Sequence, residues 1–152
     1  MSRFVVGECK YEDLGDLVET MESLFGAGSV ERSVSGKNEL IPYGYQNDSR
    51  EDEIGKVAAV VRRQHISGAS NDLPVIQNAD GTYQIAVSDY DTTAVPRRLR
   101  WEGVKGVDDL LNRIKQVFSV QRMEKGLKKL GYSLEKEVAE DGSVHIQAKK
   151  YA

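Results

Sequence analysis

Cysteine is almost missing from this chain: Cys9 is the only one in 152 residues. No intramolecular disulfide can form, and a lone thiol fits a reducing compartment, so the cytoplasm is the expected location. Histidine is nearly as scarce, at two residues. Cys9, His65 and His145 lie far apart without a paired motif, which argues against a zinc site, and no cofactor is expected. No apolar run approaches the length of a membrane span, and Phe4-Val5-Val6 is too short even for the apolar region of a signal peptide. No nucleophile elbow surrounds Cys9, so a partly buried structural thiol is the simpler reading. Gly26-Ala27-Gly28 follows a helical segment instead of opening one, the wrong end for phosphate binding. Internal repeats and low-complexity tracts are absent as well. The balance is against an enzyme.

What is present is ordinary globular composition, 39% apolar and 30% charged. That is enough to bury a core without a structural metal, and residues 1–152 are expected to form a single domain. Charge is uneven. Residues 1–55 carry 5 Lys/Arg against 12 Asp/Glu, and residues 56–152 carry 16 against 12. Asymmetry of this kind could bring copies together or steer a charged partner, although a solvated surface with uneven charge is the favoured reading.

Ser2 to Cys9 reads as a strand. From Glu12, the residues Leu14, Leu17, Val18, Met21, Leu24 and Phe25 recur every three or four positions, predicting an amphipathic helix that Gly26 and Gly28 end. Residues 30–45 read as a strand followed by an irregular loop. Val57 to Val61 is apolar without a break and fits a strand or a helix by periodicity, and its β-branched content favours a strand. Leu73 to Gln77 and Thr82 to Val87 flank Asn78-Ala79-Asp80-Gly81 as a hairpin, with Pro74 expected at a sheet edge or at the very start of its strand. Asp89 to Gly106 reads as a connection. A second helix, from about Val107, shows a broad apolar face through Leu110, Leu111, Ile114, Val117, Phe118, Val120, Met123, Leu127 and Leu130. Gly126 suggests close packing there, and Gly131 a stop.

The C-terminal hairpin can be read to its register. A three-residue loop, Glu140-Asp141-Gly142 with Gly142 left-handed, pairs Val138 with Val144, Lys136 with Ile146 and Leu134 with Ala148, so that apolar residues share a face. The predicted class is α+β: an antiparallel sheet of about five to seven strands with two main helices on one face, in the order β-α-β-β-β-β-α-β-β.

Leu111-Asn112-Arg113-Ile114-Lys115-Gln116, Lys128-Lys129-Leu130-Gly131-Tyr132-Ser133-Leu134 and Glu140-Asp141-Gly142-Ser143-Val144 resemble the chloroplast and cyanobacterial "ycf thirty-five" type of proteins. Met1-Ser2-Arg3-Phe4 and Tyr43-Gly44 add to the likeness. The resemblance implies a small cytoplasmic α+β protein and brings no established activity with it.

Two constellations are candidates for binding. Arg97-Arg98-Leu99-Arg100-Trp101, joined in space by Arg62, Arg63 and His65, could grip an anion through forked guanidinium contacts and stack a base on the indole. The alternative is that Trp101 plugs the core while the arginines stay solvated or pair with Asp89 and Asp91. Tyr43 and Tyr45, with Tyr83 and Tyr90, are of the type enriched at interfaces and also common in half-buried strands. The leading expectation is a non-enzymatic binding or adaptor protein with a protein partner or a second copy of itself. A module holding a small anionic, nucleotide-like ligand comes second. The acidic overall charge disfavours duplex nucleic acid.

Overall fold

A computed structural model of the protein describes residues 4–33, 40–44, 56–140 and 143–150. Its α+β class is the one expected. Strand β1 (Phe4–Val6) leads to helix α1 (Leu14–Phe25), then to strands β2 (Val30–Arg32), β3 (Lys56–Val61), β4 (Leu73–Gln77) and β5 (Tyr83–Ser88). A short helix α2 (Ala94–Leu99) and the long helix α3 (Val107–Lys129) precede strands β6 (Tyr132–Val138) and β7 (Val144–Lys150). The chain divides into two compact units, Met1–Asn112 and Arg113–Ala152. The first holds a five-stranded antiparallel sheet in the order β1-β5-β4-β3-β2, and the second holds the β6-β7 hairpin.

Helix α1 starts where its sequence says it should. The Asp13 carboxylate accepts the Asp16 N–H at 2.9 Å, satisfying one of the free donors of the first turn. At the other end Gly26 takes φ 113°, and its N–H closes on the Glu22 carbonyl at 2.8 Å. The buried stripe Leu17, Val18, Met21 and Phe25 packs toward β2, β3 and α2. In the three inner strands, successive residues are buried: Ala58 to Val61, Leu73 to Ile76, and Ile85 to Ser88. Alternation is lost because both faces of this sheet are covered. On one face Phe4, Ile76 and Ala86 cluster with Val6 and Val57 against them. An irregularity between Val57 and Ala59 shifts the β3–β4 register by one residue, the signature of a bulge.

Several expectations need correction. Pro74 is not on an edge strand, since β4 lies between β5 and β3, but it is only the second residue of its strand, as the other reading required. The connection from Asp89 to Gly106 contains helix α2 and a 3₁₀ turn, Asp89–Asp91. Pro96 is the third residue of α2, where its missing N–H would have had no acceptor within the helix. Gly126 does not mark close packing, because a Cβ built on it meets nothing within 4 Å.

In the second unit the expected register holds. Val138 faces Val144, Lys136 faces Ile146 and Leu134 faces Ala148, while the Ala139 N–H donates to the Ser143 carbonyl at 2.8 Å. The handedness expected of Gly142 lies outside the described residues. The apolar stripe of α3 is buried at Leu110, Leu111, Ile114, Phe118 and Val120, then emerges into solvent at Met123. No helix among the described residues is long and apolar enough to cross a membrane.

Candidate functional site

Asp72 ends the polar loop before β4 and is drawn into the interior with the apolar run Leu73 to Ile76. Its residue is 3% exposed. One carboxylate oxygen accepts the Tyr43 N–H at 2.7 Å and Arg62 Nη1 at 2.9 Å, and the other accepts the Arg63 N–H at 2.6 Å. The Asp72 N–H returns a bond to the Tyr43 carbonyl at 3.1 Å. A single buried carboxylate therefore fixes three residues of the expected site. Burial of the charge is tolerable because a cation and two amides compensate it.

Arg62 is tied to internal acceptors. Besides Asp72, its guanidinium donates to the Glu31 carboxylate at 3.0 Å and to the Ile41 carbonyl at 3.0 Å. Its pKa is raised above an already high value, chiefly by the hydrogen bond to Glu31; burial opposes this next, and the hydrogen bond to Asp72 adds to the rise.

Arg63 does something different. Its guanidinium lies over the Tyr43 ring, 3.8 Å from the centroid, and Nη1 reaches the Ser70 carbonyl at 3.5 Å. The Tyr43 residue remains 49% exposed, and neighbouring Ile41 is 56% exposed. The result is a cation–π platform whose two backbones hang from one anchor.

A second buried carboxylate extends the frame. Asp91 accepts the Ser70 N–H at 2.7 Å and the Asn71 N–H at 3.0 Å, while Asn71 Nδ2 donates to Ser88 Oγ at 2.8 Å. Asp91 serves backbone amides here, not the arginines that one alternative would have paired with it. Tyr90, one residue earlier, is 59% exposed. Gly44, at φ 91°, passes so close to Asn71 that any side chain would overlap the amide.

The second arginine group separates into different roles. Arg98 Nε donates to the His65 carbonyl at 2.9 Å and Nη2 to the Phe25 carbonyl at 3.0 Å, so it ties α2 to the turn after β3 and to the end of α1. The expected approach of this group to the Arg62–His65 segment is thus real, although it is made through a backbone carbonyl. Arg97 is exposed with Nη1 beside Gly68. Arg100 is exposed in the left-handed conformation, φ 59°, that closes α2, and the half-buried Trp101 donates its N–H to the Pro96 carbonyl at 3.0 Å. Tyr45 lies outside the described residues. Of the residues that organise the site, Asp72, Asn71 and Ser88 are absent from the sequence reading, and Asp91 entered it only as a partner for the arginines. The one available signal was a pair of polar residues, Asn71-Asp72, abutting an apolar run.

Elsewhere, Cys9 Sγ donates to Asn112 Oδ1 at 3.1 Å and is half-buried, a structural setting for a thiol. No group of three or more metal-binding side chains occurs among the described residues. Comparison with known proteins adds no assignment: no family model matches the chain, and neither curated proteins nor solved structures give a significant match.

Proposed function

We propose that this chain is a binding or adaptor protein that docks a protein partner on the surface formed by Ile41, Tyr43 and Arg63, with Tyr90 nearby. The observation that carries this reading is the half-exposed Tyr43 ring stacked under Arg63, with both main chains bonded to buried Asp72. Aromatic and arginine side chains dominate the energetics of interfaces, and a platform already held in place loses little entropy when it is covered. Arg62 and Arg98 are occupied by internal acceptors. An anionic ligand would then rely on Arg97, Arg100 and Trp101 alone, which ranks that reading second. Kinship with the "ycf thirty-five" type of proteins, resting on the hairpin and helix residues quoted above, belongs to the same proposal.

The test compares captures from native lysate by the intact protein and by its Tyr43→Ala and Arg63→Ala variants. A partner held by the intact protein and lost by both variants, at unchanged thermal stability, supports the reading. A partner retained by both, or none at all, refutes it. Quenching of Trp101 fluorescence by nucleotides would favour the ligand reading instead.

A further inference from the structure

The second unit ends in a surface of different character from the Tyr43 platform. The last turn of α3 carries Lys128 and Lys129, and the chain then passes through Leu130 and Gly131 directly into β6. In the hairpin register Tyr132 faces Lys150 and Ser133 faces Lys149. Four exposed lysines therefore lie at the end of the hairpin that adjoins Leu130, with Lys149 and Lys150 on opposite faces of β7, and Leu130 is itself 69% exposed. Met123, seven residues earlier in the last two turns of α3, is 53% exposed. The carboxylates of the hairpin, Glu135, Glu137 and Glu140, lie further along β6 and toward the turn.

A phosphate backbone has no use for an exposed leucine and methionine, whereas a protein surface does. An apolar anchor with a cationic rim calls for an acidic protein face. The first unit has the acidic excess to match: residues 1–112 hold 12 Lys/Arg against 19 Asp/Glu, while residues 113–152 hold 9 against 5. Lysine in the last turn is also what the helix dipole alone would favour, but Lys149 and Lys150 belong to a strand and have no such reason to be there.

We propose that two copies of this chain associate through the Met123 and Leu130 surface, ringed by Lys128, Lys129, Lys149 and Lys150, with this surface of each copy lying against the acidic first unit of the other. Because the rim charges are exposed, the association is salt-sensitive.

Sedimentation equilibrium of the full chain over a range of concentrations, at about 20 mM and about 500 mM salt, tests it. The expected result is a dimer at low salt whose dissociation constant rises roughly tenfold or more at high salt. The quadruple variant Lys128→Glu, Lys129→Glu, Lys149→Glu, Lys150→Glu is expected to be monomeric, as is Leu130→Ser, with an unchanged circular dichroism spectrum. The corresponding Lys→Arg variant keeps the dimer. A monomer at every concentration in low salt overturns the proposal, and so does a dimer indifferent to salt or to charge reversal. A monomer that binds a single-stranded oligonucleotide through these lysines also overturns it. Should the quadruple variant fail to fold, Leu130→Ser and the salt series decide the matter alone.

Discussion

Removing the Asp72 carboxylate is the sharpest single perturbation the fold offers. In Asp72→Ala, the Tyr43 and Arg63 amides and Arg62 Nη1 lose their shared acceptor. A hydrogen bond to a charged group contributes about 1.5–3 kcal/mol, and breaking a buried ion pair typically costs about 3–5 kcal/mol. Two features reduce the sum here. Arg62 is 25% exposed at its side chain and keeps Glu31 and the Ile41 carbonyl, and the Tyr43 and Arg63 residues lie at the surface, where water can reach their amides. The expected loss is about 3 kcal/mol for Asp72→Ala and about 2 kcal/mol for Asp72→Asn, which retains an acceptor without its charge. For a chain of this length a 3 kcal/mol loss lowers the melting temperature by about 6–12 °C. Urea unfolding followed by circular dichroism measures it. A double-mutant cycle with Arg62→Met isolates the pair, and a coupling of about 1–2 kcal/mol is expected. The same variant frees the anchored ends of Tyr43 and Arg63, so any partner that depends on their stacking binds more weakly. An Asp72→Asn protein within about 0.5 kcal/mol of the parent would refute the reasoning, because a surface residue behaves that way.

Three further outcomes are expected. Gly126→Ala stabilises the protein by up to about 1 kcal/mol in the same unfolding assay, because the new methyl meets no atom and the helix loses a glycine. Gly44→Ala destabilises it by about 2 kcal/mol or more, combining a positive φ with overlap on an Asn71 side chain that Ser88 holds in place. In the β4–β5 turn, hydrogen bonds from the Thr82 hydroxyl and N–H, helped by Lys10, hold the Asp80 carboxyl down to about 2. The deprotonated form is favoured by folding, so its contribution is complete above the ordinary carboxylate value and is lost as the pH falls through about 2. An NMR titration of this carboxyl is expected to show that low midpoint, and Thr82→Ala to move it upward.

What the sequence revealed followed the range of the interactions involved. The C-terminal hairpin was legible to the residue because its register is set by parity within fifteen positions, Val138 with Val144 and Leu134 with Ala148. Helix α1 was legible for a similar reason, with its apolar spacing and its Gly26 stop both local, although the Asp13 cap emerges only in the structure. Helix α2 was missed because Pro96 and the arginines around it look like a connection, and proline is neutral in a first turn only if the turn is already known. The solvent end of α3 was missed because periodicity reports which residues share a stripe and says nothing of how far along the stripe a covering layer extends.

The arginines show the same limit at the candidate site, and there it changes the functional reading. A run such as Arg97-Arg98-Leu99-Arg100-Trp101 looks like an anion grip because guanidinium is the group such a grip needs. Internal carbonyls want the same group. Arg98 finds its acceptors at His65 and Phe25, 33 and 73 positions away, and Arg62 finds Glu31, 31 positions away. No local pattern distinguishes an arginine waiting for a ligand from one that closes the fold, since the competing acceptors arrive only with the tertiary structure. Asp72 inverts the case: an unremarked end to a polar loop becomes the point from which Tyr43, Arg62 and Arg63 are held. Once the internal acceptors have taken their share, the arginine best placed to meet a partner is Arg63. It lies over an exposed ring, with its main chain fixed and its own residue exposed.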